Sequence, residues 1–157
     1  MKKVAIIFSL VFALDRVTKY LVVRLMPYGS EIRLIGDYVK ITHVRNPNSL
    51  WSLSLGQNFP YIIVGILAIV FLSVLIRDAL KTKHTKNANV YSLILSGVAG
   101  NIVDRIHFKE VVDFIDVGIS PSLRWPVFNV ADSAISIGLV IYFIMVLREY
   151  FSKRSEK

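Results

Sequence analysis

The sequence predicts a membrane α-helical protein in which four transmembrane helices carry a small extracytoplasmic β-hairpin. Hydrophobic residues make up 54% of the 157 residues, and the mean hydropathy is +0.56, which is typical of a membrane protein. Four apolar stretches each approach the ~20 residues that cross a bilayer as a helix. The length suits one domain, so residues 1–157 are predicted to form a single integral membrane domain.

The first of the four predicted spans is the least regular, because Asp15, Arg16 and Lys19 interrupt it. Lys2 and Lys3 before its apolar run also resemble the start of a secretory signal. Since Asp15 and Arg16 follow that run in place of the small residues of a cleavage site, the sequence favours an uncleaved helix. The predicted spans are about 4–25, 59–76, 90–108 and 127–147.

The charge balance and the missing residue types exclude several classes of function. The formal charge is +8, from 19 Lys and Arg against 11 Asp and Glu. Because the basic residues lie mostly at the ends of apolar runs, where they orient helices, no nucleic-acid partner is predicted. The absence of cysteine excludes disulfides, thiol catalysis and thiolate metal sites. Without an H-E-x-x-H motif, a zinc protease is not predicted, and the sequence contains no glycine-rich phosphate loop.

The positions of the basic residues also predict the topology. They precede the first span, fill the connection between the second and third, and follow the fourth, which places both termini in the cytoplasm. Connections 26–58 and 109–126 then lie outside. Polar residues of three spans fall at one depth, near the outer leaflet surface, where ionisable groups usually mark a working site. They are Asp15, Lys19, Asn101, Asp104, Asn129 and Asp132.

The first outer connection contains the pattern of a β-hairpin. Residues 31–35 and 38–44 alternate and are rich in β-branched side chains, and Gly36-Asp37 between them is typical of a two-residue turn. The wider β region is predicted at about 30–57. Within it, Trp51 is an amphipathic ring suited to the headgroup level, although an ordinary loop fits the pattern equally well.

Two polar groups lie inside predicted spans. Asp15 and Lys19 share a helix face, acid before base, and either support a polar site or only neutralise each other. A Ser–Lys dyad would require a serine near Lys19, which the sequence leaves open. In the third span, Asn101 and Asp104 follow the small residues 96–100, which would let another helix approach closely. Adjacent Arg105 could bridge carboxylates or bind a lipid headgroup.

Asp113 and Asp132 form the sharpest candidate pair. Asp113 follows two valines in the outer connection, and Asp132 lies about one turn into the fourth span. Two carboxylates brought together share a proton, so one can activate water while the other donates to a carbonyl oxygen, as peptide hydrolysis requires. Either aspartate alone could instead be a helix cap or a loop carboxylate. On position alone, Asp116 competes with Asp113.

These residues lie in four motifs that together resemble the lipoprotein signal peptidase family, also called signal peptidase II. Residues 15–19 resemble its D-x-x-[ST]-K motif, and 100–105 its G-N-x-x-D-R motif. Residues 112–114 resemble V-D-F, and 128–132 resemble F-N-x-A-D. The resemblance covers essentially the whole chain and implies four helices beside a small extracytoplasmic β-sheet. It also implies a membrane aspartic endopeptidase that removes the signal peptide from lipid-modified prolipoproteins before the diacylglyceryl cysteine.

The resemblance implies a role for each site residue and a setting for the enzyme. Asp113 and Asp132 would be the catalytic dyad, without metal or cofactor. The expected partners are lipid-modified prolipoproteins and membrane lipid, with the chain acting as a monomer in the bacterial cytoplasmic membrane. The residues expected to support the site or bind substrate are Asp15, Lys19, Asn46, Asn101, Asp104, Arg105 and Asn129.

One block departs from the family pattern. Where the family has N-x-G-A-A-F, this chain has Asn46-Pro47-Asn48-Ser49-Leu50-Trp51. Asn48 can replace the glycine because asparagine visits left-handed conformations readily. Ser49 and Leu50 are larger than alanine, and Leu50 would narrow the substrate groove. The block therefore predicts an altered substrate range, as in a specialised paralogue, with the acid pair unaffected.

Two other functions fit membrane-embedded polar residues. A small proton-coupled transporter would use carboxylates and an arginine as a relay, but the sequence has polar groups at one depth only and no duplicated half. A non-enzymatic assembly protein would use the same groups to join helices. Two aspartates near the outer surface favour the protease over both.

Overall fold

The computed structural model describes residues 2–47 and 85–155. Within these ranges, the chain forms three helices and three strands. The predicted second span, 59–76, and residues Ser49, Leu50 and Trp51 lie outside the described residues. The elements are α1 (Lys2–Leu25), β1 (Glu31–Ile35), β2 (Val39–Asn46), α2 (Thr85–Phe108), β3 (Val111–Val117) and α3 (Val130–Ser155).

The three described helices correspond to the first, third and fourth predicted spans. Helix α2 begins at Thr85 rather than at position 90, and α3 begins at Val130 rather than at 127. Helix α3 also continues to Ser155, eight residues beyond the predicted end of the fourth span at 147. Of the helices in 2–47 and 85–155, only α3 is long and apolar enough by composition to cross a membrane.

Helix α2 packs between α1 and α3 through its small residues. A Cβ atom at Gly97 would collide with the carbonyl oxygen of Ala131, and one at Gly100 would collide with the carboxylate of Asp15. This confirms the close approach predicted from the small residues 96–100. The consequence for the site is direct, because the polar residues that follow Gly100 lie within reach of both neighbouring helices.

The β-hairpin is confirmed, and its turn has the predicted glycine-first geometry. Gly36 has a φ of +48°, and the Tyr38 N–H donates to the Ile35 carbonyl at 3.0 Å. Strand β2 begins at Val39, one residue later than predicted, because Tyr38 closes the turn. The exposed side chains of β1 leave it as an edge strand.

A third strand lies in the stretch 109–126, which the sequence presented only as a connection. Strand β3 pairs antiparallel with β2, giving the sheet order β1-β2-β3, with Val44 opposite Asp113. The Phe128 carbonyl accepts N–H groups from Phe114 at 3.0 Å and Ile115 at 2.7 Å on the other side of β3. The sheet therefore places Asp113 at a fixed position beside the start of α3.

A small apolar core attaches the sheet to the end of α1. Val22 of α1 and Met26, which directly follows this helix, pack with Val112 and Phe114 from β3, and all four are buried. The His43 ring adds a polar link, because its Nδ1 lies 2.8 Å from the Met26 carbonyl oxygen. These contacts hold β3 against the helices, so Asp113 has its polar neighbours within the protein rather than in solvent.

Candidate active site

Lys19 is the centre of a buried polar network between α1 and α2. Its side chain is 1% exposed, and its Nζ lies 3.0 Å from Asp15 Oδ2 and 2.9 Å from Asp104 Oδ2. The same ammonium donates to Asn101 Oδ1 at 2.9 Å. Three oxygens thus surround a donor-only group, which is the arrangement that lets a charge remain buried.

Arg16 completes this network, although the sequence pointed to Arg105. Arg16 contacts Asp104 Oδ1 through an ion pair, while the other oxygen of Asp104 accepts from Lys19 and from the Val112 N–H at 3.3 Å. Two acids and two bases, Asp15 and Asp104 with Arg16 and Lys19, therefore balance each other. Because Val112 precedes Asp113, Asp104 also fixes the backbone at the candidate catalytic residue.

The orientation of the Asn101 amide follows from its neighbour. Lys19 has three donors and no acceptor, so the Asn101 atom beside it must be the oxygen. The Asn101 Nδ2 is then directed the other way and donates to Asp132 Oδ1 at 2.8 Å. Lys19 therefore determines, through Asn101, that a donor rather than an acceptor faces Asp132.

Asp132 is both a helix-capping residue and a member of the acid pair. Its backbone N–H donates to Asn129 Oδ1 at 2.9 Å, while its Oδ2 accepts from the Asn129 N–H at 3.2 Å. This reciprocal arrangement is a capping box, with Asn129 as N-cap, and it explains why α3 begins at Val130. The sequence left open whether Asp132 is a helix cap or a catalytic residue. In the structure the cap itself fixes the position of the Asp132 carboxylate.

Asn129 connects the two aspartates. Because its Oδ1 accepts the Asp132 N–H, its Nδ2 is left to donate, and it does so to Asp113 Oδ1 at 2.7 Å. The same Nδ2 lies 3.2 Å from Asn101 Oδ1. Asn46 Nδ2 donates to the second oxygen of Asp113 at 3.0 Å. Each carboxylate thus receives one N–H on each oxygen, from residues on different elements.

Burial raises the pKa of Asp113 from its ordinary value of 3.8 to about 7, and the negative charge of Asp132 acts in the same direction. The amides of Asn46 and Asn129 oppose this shift only in part. Asp113 is 1% exposed, so water does little to stabilise its charged form. At neutral pH and below, Asp113 is therefore able to carry a proton that an ordinary aspartate would have lost.

This raised pKa predicts that stability falls with increasing pH. Between pH 4 and 7 the folded protein retains the Asp113 proton while the unfolded chain releases it, so rising pH favours unfolding. Across that interval, Asp113 should lower the free energy of unfolding by roughly 3–4 kcal/mol. Asp113→Asn should therefore unfold at a higher temperature than the parent at pH 8, and the difference should vanish near pH 4.

Thermal unfolding in detergent, followed at several pH values, measures this difference. Asp37→Asn is the matched control, because the Asp37 side chain is 45% exposed in the hairpin turn. It should keep the pH dependence of the parent. A parent and an Asp113→Asn variant with parallel pH profiles would contradict the raised pKa.

The structure separates Asp116 from the acid pair. Asp116 Oδ1 accepts from Arg124 Nε at 2.7 Å, and Arg124 Nη1 donates to the Asp37 carbonyl at 2.6 Å. Asp116 thus joins β3 to the hairpin turn.

The prediction that Arg105 could bridge carboxylates is wrong within residues 2–47 and 85–155. Arg105 instead donates to the Asn101 carbonyl at 3.5 Å.

The described part of the chain offers little to hold a metal ion. In residues 2–47 and 85–155, no three histidine or carboxylate side chains are arranged as a metal site. What the arrangement can do is hold one proton in a pair of electrostatically coupled carboxylates, of which Asp132 lies beside an open groove. Asp132 lines that groove together with Ser133 and Ser136. Both features are those of an acid pair that acts on a bound water.

Comparison with known proteins gives a consistent result. The family model described as signal peptidase (SPase) II matches residues 7–148. A lipoprotein signal peptidase of Geobacillus thermodenitrificans is 37% identical over 134 residues, which cover 85% of this chain and 82% of that protein. A lipoprotein signal peptidase of Thermodesulfovibrio yellowstonii is 35% identical over 149 residues, covering 94% and 96%.

Solved structures agree in fold. A structure described as a bacterial membrane enzyme, solved by the in meso method at 2.3 Å, has a TM-score of 0.80 and 30% identity, and the match covers 98% of this chain and 92% of that one. A second bacterial membrane enzyme structure, at 1.9 Å, has a TM-score of 0.76 and 30% identity, with 94% of each chain covered.

Proposed function

Because this chain belongs to the signal peptidase II family, and is therefore a membrane aspartic peptidase that cleaves lipoprotein signal peptides, we propose that Asp113 and Asp132 are its catalytic dyad. The observation that carries the assignment is the single Asn129 side chain that binds both aspartates, at 2.9 Å to the Asp132 N–H and 2.7 Å to Asp113 Oδ1. Asp116 has its own partner in Arg124 and no such link.

The pair acts by sharing one proton. We assign this proton at the start of the reaction to Asp113, in keeping with its pKa of about 7, and the negative charge to Asp132, whose carboxylate accepts N–H groups from Asn101 and Asn129 at the N-terminus of α3. Asp132 takes a proton from water as the water oxygen bonds to the scissile carbonyl carbon, while Asp113 gives its proton to the carbonyl oxygen. When the tetrahedral gem-diol intermediate collapses, Asp113 takes back a proton from one of its hydroxyl groups, the C–N bond breaks, and the leaving amine takes the proton from Asp132, which restores the starting state of the pair.

The remaining site residues hold this pair in place. Asn101 and Asn129 present N–H donors to the carboxylates, and Asn46 binds the outer oxygen of Asp113. Asp15, Lys19 and Asp104 anchor these amides and the start of β3. Asp15 Oδ1 also accepts the Ala131 N–H at 3.0 Å, which ties α1 to the first turn of α3. Such positioning holds the two carboxylates in the geometry that attack of water on the substrate carbonyl requires.

The substrates we infer are lipid-modified prolipoproteins, cut before a diacylglyceryl cysteine. The enzyme acts as a monomer in the bacterial cytoplasmic membrane, in contact with membrane lipid, and crosses it several times. Exposed apolar side chains on α1 and α3 support the lipid contact, for example Leu10 at 66% and Val140 at 59%. The polar network at one end of α1 and α3 supports a site near the outer leaflet surface.

We predict that both termini face the cytoplasm and that β3 lies outside. Reporter fusions at Lys157 and near Thr82 should therefore give a cytoplasmic signal, whereas a fusion at Ile115 should give an external one. The reason is the excess of Lys and Arg at both ends of the chain and in 77–86. An external signal at Lys157 would contradict the topology and the depth of the site together.

The proposed function is tested with purified protein in detergent and a synthetic lipopeptide. The expected result is one cleavage whose carboxyl-side product, identified by mass, begins at the diacylglyceryl cysteine. The same peptide without the lipid should be cut far less. If the folded protein cleaved no lipopeptide, the peptidase assignment would be contradicted. A proton-coupled transporter or an assembly protein would then be the better explanation of the polar residues.

A further inference from the structure

A groove of about 330 Å³ runs along the first two turns of α3 and reaches Asp132. Asp132, Ser133, Ser136 and Ile137 line it from one face of the helix, since residues four apart lie one above the other. Trp125 and Phe128 complete the lining. Ser136, Ile137 and Trp125 have no part in the acid-pair chemistry, so the groove requires another explanation.

The groove opens on an exposed apolar face of α3, which we expect to meet the bilayer. Ile137 is 54% exposed and Val140, one turn further along, is 59% exposed. Helix α3 is also the described helix with the composition of a membrane span. An apolar ligand can therefore enter the groove sideways from the lipid, without passing through water.

Trp125 stands between this groove and a second cavity on the side of the sheet. That cavity has a volume of about 530 Å³, and Trp125 lines it together with Asn46, Asp116 and Arg124. The backbone of Trp125 is fixed, because its N–H donates to the Val117 carbonyl at 2.8 Å, and the residue is 62% exposed. The groove beside α3 is mainly apolar, whereas the cavity beside the sheet contains an ion pair.

We propose that the groove along α3 binds one acyl chain of the diacylglyceryl group, and that Trp125 separates this chain from the peptide. The proposal rests on the proposed function. The lipid is attached to the residue that follows the scissile bond, so it leaves the backbone within about 4 Å of the cut. From that point an apolar chain requires an apolar path that starts at the dyad, and the groove at Asp132 provides one. The cavity containing Asp116 and Arg124 suits the polar backbone of the mature peptide.

Filling the groove tests the proposal. Two lipopeptides with the same peptide are compared, one with long and one with short acyl chains, and the ratio of their kcat/KM values is measured for each variant. Ser136→Leu should lower the long-over-short ratio by roughly 10–200-fold, because added methyl groups exclude a chain that otherwise fits. Ser9→Leu is the matched control, since Ser9 lies exposed on α1, and it should keep the parent ratio.

A second variant guards against a folding defect. Ile137→Ala removes an exposed wall residue rather than filling the groove, so it should fold and should also lower the ratio, chiefly through KM for the long-chain substrate. A parent-like ratio in both variants would contradict acyl binding. An equal loss for both substrates would show instead that the groove takes the signal peptide, which also overturns the proposal. A parent enzyme that cleaves neither lipopeptide would instead refute the proposed function.

Discussion

Asp113→Asn and Asp132→Asn should each lower kcat by roughly 10²–10⁴-fold or more, with little change in lipopeptide binding. Each substitution removes a group that must carry or accept a proton, while the amide keeps the size of the carboxylate and one of its two accepting oxygens. The double variant should be hardly slower than either single variant, because residues that act as one unit are non-additive. Initial rates with a fluorogenic lipopeptide, together with an inactive-enzyme binding assay, measure both effects.

The pH profile of the parent enzyme provides the control for this prediction. Because the two aspartates share a proton, the limits of the active pH range belong to the pair rather than to one residue. Activity should fall above neutral pH, where the pair loses its shared proton, because burial and the negative charge of Asp132 raise the pKa of Asp113 to about 7. Additive losses in the double variant would mean that the aspartates act independently, contrary to a shared proton.

Lys19→Met should cause the largest loss of stability of any substitution considered. It leaves the carboxylates of Asp15 and Asp104 buried without their common cation, and removing one partner of a buried ion pair typically costs about 3–5 kcal/mol. It should also lower kcat, because Asn101 loses the donor that directs its amide towards Asp132. Thermal unfolding in detergent and single-turnover cleavage measure the two effects separately.

Lys153→Met is the matched control, since it removes an ion pair with Glu149 in which the side chains are 74% and 65% exposed. Its unfolding temperature should stay within error of the parent, because exposed pairs contribute little. A second variant, Asn101→Leu, removes the N–H donor to Asp132 but leaves the ion pairs of Lys19 with Asp15 and Asp104 in place. It therefore measures the effect of that donor on kcat separately from the loss of the ion pairs. If Lys19→Met unfolded like the parent, the network would not be the anchor of the site.

The sequence was sufficient to predict the helices and the polar cluster, for a physical reason. Apolar runs of membrane length and costly buried charges leave strong signals in a sequence, so the described helices and the grouping of Asn101 with Asp132 could be inferred. Alternating side chains around a glycine turn were enough to predict the hairpin. Strand β3 was missed because its pairing with β2 is a long-range contact and its residues are buried without a simple alternation.

The sequence alone could not show which of several nearby side chains makes a given contact in the site. Arg105 is adjacent to Asp104 in the chain, yet Arg16 from another helix makes the ion pair, since helix packing decides which cation reaches it. For the same reason, helical position alone did not show that Asn129 would both cap α3 and bind Asp113. Asp116 and Asp113 were distinguishable only by resemblance until Arg124 was found beside Asp116.

The central claim is that Asp113, and not Asp116, acts with Asp132. The most direct test is the kcat/KM of Asp113→Asn and Asp116→Asn, measured side by side on one fluorogenic lipopeptide with purified, folded protein. Asp113→Asn should lose nearly all activity, whereas Asp116→Asn should retain most of it, because Asp116 only joins β3 to the hairpin turn through Arg124. A larger loss at Asp116 than at Asp113 would contradict the proposed dyad.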